Sequence, residues 1–278
     1  MHHNARIPKA SLVANPEAAA IESSFKGRDL GAPSARTSSK GALIAETHAV
    51  FRALGQGMSV TVLKEACLRG SVLRHSARHT RARIWDAINW RFFSSEPPAW
   101  ILKDLREAAL EVVRPSQRFT ELVYVHYARR DRLTFDFVTE RIFQGWRGGV
   151  RGVRREEVWR FAVEQYGDEI VGRFRESTQK KIVGNVLSAL RDFGVLSGVQ
   201  RKMIEQPRLD LAVALHLCRL LYEEGLRGRE LTEALDWRLF LLAPDEVTRV
   251  LAALAGRGAI RFEQAGRTVI LELAGVAA

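Results

Sequence analysis

The sequence predicts a mainly α-helical protein built from tandem helix-turn-helix and winged-helix-like units that carry short β-hairpin wings. Three observations support this fold class. Apolar residues recur at helical spacing over most of the chain after residue 42. Glycine, proline and serine interrupt that spacing at short intervals, as helix boundaries do. Near residue 200 and again at residues 259–273, strand-like segments around a glycine follow a predicted helix, which is typical of a hairpin wing.

The chain divides into five segments in this interpretation. Residues 1–40 are rich in Ala, Ser, Pro and Gly without a sustained apolar period, and we expect a flexible leader there. The others are a helix-turn-helix unit (41–96), a helical middle region with a hinge (97–150), a winged-helix-like unit (151–208) and a C-terminal helical unit ending in a β-hairpin (209–278). The hinge includes the start of GWRGGVRGVR (145–154), which lacks the GK[ST] ending of a P-loop.

Helix boundaries follow from the apolar period and from capping residues. We expect Ser59, Ser76 and Ser177 to be N-caps, because a serine hydroxyl can accept a hydrogen bond from a free amide of the first turn. Proline pairs and glycines end the helices. The predicted helices cover residues 43–54, 60–68, 77–92, 100–113, 117–130, 133–144, 155–166, 177–193, 209–222, 231–241 and 245–255, and the C-terminal strands cover 259–263 and 268–273.

Positive charge is concentrated in two short segments. The chain has 43 Lys and Arg against 32 Asp and Glu, a formal net charge of +11. Residues 41–95 hold eight basic and three acidic side chains, and residues 173–202 hold seven and two. Localised excess of this kind predicts surfaces that bind a polyanion. Residues 209–278 are slightly acidic, and we expect a protein contact or a structural cap there.

The first basic segment contains SVLRHSARHTRARIW (71–85), which has no acidic residue. On the helix over 77–92, Ile84, Ile88 and Phe92 form an apolar face, and most basic side chains lie opposite. The second helix of a helix-turn-helix presents its N-terminal residues to DNA base edges. Arg81 falls inside the apolar arc and needs its first-turn position to reach solvent. The residues expected to contact DNA are Arg74, Arg78, His79, Arg81 and Arg83.

The second basic segment is a helix followed by a hairpin. The helix over 177–193 has one apolar stripe, and its opposite side is small and polar, which would allow close approach to a backbone or a groove. The hairpin has a basic tip at 200–202 and would be the wing. The residues expected to contact DNA here are Thr178, Lys180, Lys181, Asn185, Ser188, Arg201 and Lys202.

Three stretches resemble the BrxA family, a small component of bacterial BREX bacteriophage-exclusion systems. They are HYARRDRLTFDFVTERI (126–142), ESTQKKIVGNVLSALRDFGVLSG (176–198) and SARHTRARIWDAINWR (76–91), and the similarity extends from about residue 43 to the C-terminus. The resemblance implies a non-enzymatic, mostly helical protein that binds double-stranded DNA and assists the other BREX subunits. The long leader departs from the family pattern.

Other function classes find little support in the sequence. There is no nucleophile elbow or P-loop, and His75 and His79 have no third ligand nearby, so we predict no catalytic residue, no metal site and no cofactor. No run of about 20 apolar residues predicts a membrane span. Two cysteines on apolar helices, without a disulfide pattern, suggest the reducing cytoplasm. A plain solvated arginine face, a helical protein scaffold and an RNA partner are the alternatives.

Overall fold

The computed structural model describes residue 28 and residues 31–34, 40–266 and 268–274. Over these residues the protein is mainly helical with two small antiparallel sheets, so the mainly α prediction is confirmed. None of the helices in these ranges is both long enough and apolar enough to span a bilayer. Buried apolar side chains form one connected core that runs from Ala42 to Leu273.

Five helices form the N-terminal half of the core. They are α1 (Ile44–Gly55), α2 (Val60–Arg69), α3 (Arg78–Phe92), α4 (Ala99–Leu110) and α5 (Gln117–Arg130). Helix α1 packs on α4, α2 packs on α3, and α5 contacts α1, α3 and α4. Ser59 caps α2 as expected, because its Oγ accepts a hydrogen bond from the Val62 amide at 3.4 Å. The prediction for Ser76 is wrong, since Ala77 is the N-cap of α3.

Asp131 has extended backbone angles and ends α5, and a second helical run begins after it. It consists of α6 (Arg132–Asp136), a π-helical turn (Phe137–Ile142) and α7 (Phe143–Arg147). The glycine-rich stretch 145–154 then contains a strand that the sequence did not reveal, β1 (Gly152–Val153). A two-residue strand has no period of its own, and it exists because β3 pairs with it.

A unit of one strand, three helices and a hairpin follows. Its further elements are α8 (Arg155–Tyr166), α9 (Asp168–Val171), α10 (Glu176–Asp192), β2 (Leu196–Ser197) and β3 (Lys202–Ile204). The three strands are antiparallel in the order β1-β3-β2, so β3 lies between β2 and β1. Ser177 lies inside the first turn of α10, whose N-cap is Arg175, so the predicted serine cap is wrong.

The C-terminal part is a helical group that ends in the second hairpin. Its elements are α11 (Leu211–Glu223), α12 (Gly228–Thr232), a 3₁₀ helix (Leu235–Phe240), α13 (Pro244–Gly256), β4 (Ile260–Ala265) and β5 (Thr268–Leu273). The helix predicted over 231–241 is wrong. Ala234 has extended backbone angles that end α12, and the indole of Trp237 donates back to the Leu231 carbonyl at 2.8 Å.

The flexible-leader prediction falls mostly outside the described residues, but the described part of 1–40 contacts the body. The guanidinium of Arg28 lies 4.0 Å from the ring centroid of Phe135. Pro33 is buried, and its carbonyl accepts from Arg173 at 3.5 Å. At the other end, the buried Arg91 donates to the carbonyls of residues 40–42. These positions of the leader are therefore packed against the helices.

Candidate nucleic-acid interface

The first predicted surface is the outer side of α3, together with the turn that precedes it. Helix α2 ends at Gly70, whose positive φ of 95° turns the chain toward residue 71. Ile84, Ile88 and Phe92 are buried under α3, so the predicted apolar face is confirmed. That burial fixes which side of α3 meets solvent, because residues three and four apart share one face of a helix.

Four of the predicted side chains on this surface are exposed: Arg74, Arg78, His79 and Arg83. None of these three arginines forms an ion pair with any residue in the described ranges of the chain. Exposed helix faces usually mix both signs of charge, since opposite charges one turn apart stabilise a helix. The outer side of α3 therefore carries cations available to an external anion. We call Arg74, Arg78 and Arg83 the α3 cations.

Arg81 does not join the α3 cations. Its side chain turns back into the α2–α3 turn, where the guanidinium donates to the carbonyls of Leu68 at 2.9 Å, His75 at 2.5 Å and Ser76 at 2.7 Å. The C-terminal carbonyls of a helix have no partner in the helix itself, and a cation is a favourable donor to them. Arg81 thus closes the turn, and its guanidinium is occupied by backbone carbonyls, so its contact with DNA stays a prediction that this geometry does not favour.

Arg81→Met should lower the free energy of unfolding by about 1–3 kcal/mol, because three carbonyls lose a charged donor. Arg83→Met on the same helix is the matched control, and we expect a change within about 0.5 kcal/mol there because Arg83 is exposed and unpaired. Urea unfolding of both variants measures the difference. Equal stabilities for the two variants would refute the structural role of Arg81.

The second predicted surface begins on α10. Its predicted apolar stripe is buried: Ile182, Val183, Val186, Leu187, Leu190 and Phe193. On the opposite side, Lys181 is exposed and forms no ion pair with a described residue, whereas Lys180 pairs with Glu176 at 2.5 Å. Thr178, Asn185 and Ser188 are half-buried, and the Ser188 hydroxyl accepts from Arg191 at 3.4 Å. Lys181 is therefore the available cation of this helix.

The β2–β3 hairpin, which was predicted to be a wing, contacts α10. Arg201 is exposed at the β2–β3 turn, while the ammonium of Lys202 donates to the Gly198 carbonyl at 2.7 Å and so helps to close the turn. Gly198 has a positive φ of 78°, and a Cβ there would lie 2.2 Å from the Arg201 carbonyl oxygen. Only glycine fits this turn, so the position of Arg201 depends on it.

A groove of about 530 Å³ lies between α10, the start of α8 and the wing. Its lining includes the predicted residues Ser188, Arg201 and Lys202, and it adds Arg154 and Arg155, which the sequence analysis missed. The Arg155 guanidinium donates to the Lys180 carbonyl at 2.7 Å, and Arg154 pairs with Glu157 at 3.3 Å. The sequence signal that could have identified these two arginines was the basic pair at the start of α8. This pair lies beside the groove because β1 pairs with β3.

Residues that could support chemistry are engaged elsewhere. The His75 ring lies 3.1 Å from a carboxylate oxygen of Glu46. Across the described residues, no group of three His, Cys, Asp or Glu side chains is arranged to hold a metal ion. Cys67 and Cys218 are buried, and burial raises the pKa of each thiol to about 12. Thiols with such a pKa are poor nucleophiles at neutral pH.

Comparison with known proteins gave a family and a fold. The sequence model of the family described as BrxA matches residues 34–220, which is more than half of the chain. No curated protein matches the sequence. A solved structure, described as the crystal structure of an uncharacterized protein from Magnetospirillum magneticum, superposes with a TM-score of 0.54 at 16% sequence identity. The alignment covers 76% of this chain and 100% of that one, and at this identity it shows a shared fold alone.

Proposed function

This chain belongs to the BrxA family and is thus a component of a BREX phage-exclusion system with other BREX subunits as partners; we propose that it acts there by binding duplex DNA. The observation that carries the proposal is the set of α3 cations, which are exposed on α3 and in the turn before it and form no ion pair with a described residue. A phosphate backbone supplies the missing negative charge. No catalytic step is part of this function.

In this proposal the two basic segments are separate DNA-binding units. Residues 41–96 present α3 after a turn, as the second helix of a helix-turn-helix does. Residues 151–208 present α10 beside the β2–β3 hairpin, and the strand order β1-β3-β2, with α8, α9 and α10 between β1 and β2, supports a winged-helix-like interpretation of this unit. Residues 97–150 connect the units.

The C-terminal unit, 209–278, differs in its electrostatics. Three exposed arginines there are paired with carboxylates: Arg229 with Glu233, Arg249 with Asp245, and Arg261 with Glu263 and Glu272. Two others, Arg227 and Arg257, are exposed and form no ion pair with a described residue. The part of the surface on which the charges neutralise each other gains little from phosphate, and we propose that it makes protein contacts. This is the observation that favours the second candidate function, a protein-binding scaffold within the defence complex.

The salt dependence of binding separates DNA binding from scaffolding. Each phosphate contact contributes about 0.9 to the slope of log affinity against log salt concentration. We expect Arg74→Ala, Arg78→Ala and Arg83→Ala together to reduce that slope by about 2–3 on a fluorescent duplex. The triple variant Arg229→Ala, Arg249→Ala and Arg261→Ala removes the same charge from the paired surface and should leave the slope unchanged.

Two outcomes would contradict the proposal. Equal slopes for both triple variants would mean that the α3 cations do not meet phosphate, and an undetectable affinity for duplex at low salt would favour the scaffold. Lys181→Ala with Arg201→Ala tests the second unit in the same titration. Single-stranded DNA and RNA of equal length identify the preferred polyanion, since a basic helical surface does not distinguish them.

A further inference from the structure

An apolar ridge is exposed where α4 ends. Leu110, Val112 and Val113 have 43%, 47% and 79% of their surface accessible. The ridge is held in place from α1, because the Arg52 guanidinium donates to the Val112 carbonyl at 3.1 Å. Single exposed apolar residues are common on proteins, whereas a contiguous exposed group marks an interaction site. The fold thus holds these apolar side chains exposed to solvent, and the proposed DNA binding gives them no role.

A groove of about 670 Å³ lies beside this ridge, between α1 and residues 71–75. Small and apolar side chains line much of it, among them Ala45, Ala49, Ala53, Met58 and Val113. Small side chains on a helix face leave space in which an apolar side chain of another segment can be seated. We call this feature the α1–α4 groove.

The groove is positively charged at its edges. Arg52, Arg74 and Arg114 line it, and its one carboxylate, Glu46, lies against the His75 ring at 3.1 Å. His48 also lines it, and the Nε2 of its ring is buried and has no hydrogen-bond partner among the described residues. The groove therefore fits an occupant that is apolar along its length and carries carboxylates at its edges.

We propose that the α1–α4 groove is the docking site for an acidic, apolar segment of another BREX subunit. Duplex DNA fits the groove poorly, because its surface offers phosphates but no apolar chain to cover Val112 and Val113. Family membership supplies the class of partner, since the chain works beside other subunits. Arg74 belongs to both the groove and the α3 cations, so the partner and DNA compete for that side chain.

Two engineered thiols test the groove and the DNA surface separately. Val113→Cys places a thiol on the ridge, and Val199→Cys places one on the wing at nearly the same exposure, 79% against 77%. The native cysteines react slowly because both are buried. The rate of thiol modification by a maleimide is measured for each variant alone, with the purified other subunits of the BREX system, and with a duplex oligonucleotide.

We expect the subunits to slow modification of Val113→Cys at least about tenfold while leaving Val199→Cys unchanged. The duplex should slow modification of Val199→Cys and leave the rate for Val113→Cys unchanged. Arg114→Glu added to Val113→Cys should abolish protection by the subunits, since it repels the carboxylates of the segment, while affinity for duplex is retained. Failure of the DNA proposal would appear in the salt titration of the α3 cations and, for the second unit, at Val199→Cys, but not at Val113→Cys, so the failures of the two proposals are distinguishable.

Three results would overturn the docking proposal. The first is an unchanged rate for Val113→Cys with every subunit present. The second is protection of Val113→Cys by duplex alone, which would make the groove part of the nucleic-acid surface. The third is faster modification after deletion of residues 1–39, which would show that this chain's own N-terminal segment occupies the groove.

Discussion

Arg129→Met is expected to lower the free energy of unfolding by about 3–5 kcal/mol. Arg129 lies on α5 with no accessible side-chain surface, and its guanidinium donates to carboxylates of Asp236 and Glu224. Burial alone would lower the pKa of Arg129, but Asp236 and Glu224 together raise it above its ordinary value. Removing the cation leaves the buried Asp236 without its ion-pair partner, which is the costly half of such a change.

Urea unfolding measures this loss, and two further variants show its cause. Arg229→Ala removes an exposed arginine that pairs with Glu233 at 2.7 Å, and it should cost less than about 0.5 kcal/mol. Adding Asp236→Asn and Glu224→Gln to Arg129→Met should recover part of the stability, since the stranded charges are then gone. A loss below about 1 kcal/mol for Arg129→Met would show that the ion pair does not join the middle region to the C-terminal unit.

Stability is expected to fall as the pH drops from about 6.5 to about 5. His126 on α5 and His216 on α11 are buried with their Nε2 atoms 2.9 Å apart, and His216 Nδ1 lies 2.7 Å from Asp104. Because Nδ1 of His216 donates to Asp104, its Nε2 must accept from His126. Protonation of His216 would then set two N–H donors against each other, so both rings are held neutral.

The direction of this change of stability with pH follows from the pKa shifts of these two histidines. Burial first, and then His216, lowers the pKa of His126; burial lowers the pKa of His216 despite the opposing effect of Asp104. The unfolded chain therefore binds protons at a pH where the folded chain does not. Each histidine removes up to about 1.4 kcal/mol per pH unit below its unfolded pKa of about 6.5. Stability is fully present above that pH.

Melting temperature measured from pH 7.5 to 5 tests this expectation. His126→Gln keeps a donor for His216 but does not titrate, so its melting temperature should depend less steeply on pH. Some dependence will persist, because burial and Arg52 also lower the pKa of His48. Glu121 acts in the opposite direction at lower pH, since burial raises its pKa. A melting temperature that stays level between pH 7 and 5.5 would contradict the arrangement of the two rings.

The helices were largely predictable because their signals are local. On α10, apolar residues at spacings of three and four fall on one face whatever surrounds the helix, and that face is the one buried. The Ser59 cap was predictable for the same reason, since its hydroxyl acts on an amide three residues away. The Ser177 cap was wrong because the N-cap is Arg175, two residues earlier, and helix ends depend on small local differences.

The candidate interface was less predictable from sequence. Arg81 and Arg83 look alike in a charge count, but one closes a turn through three carbonyls and the other faces solvent. Arg154 and Arg155 lie at the groove between α8, α10 and the β2–β3 hairpin because β1 pairs with a strand some 50 residues later. No local pattern states which arginines find an internal acceptor, since the acceptors come from distant parts of the chain.

The sequence by itself determined most of the helices, the apolar faces of α3 and α10, the two hairpins and the two segments with excess positive charge. These features depend on residues within a few turns of one another. Only the tertiary structure decided which cations bind acceptors inside the protein, as Arg81, Arg91 and Arg129 do. It also decided which cations stay exposed to a partner. The physical reason is that a guanidinium takes its role from the nearest carbonyl or carboxylate in space, and Asp236 reaches Arg129 across 107 positions of the chain.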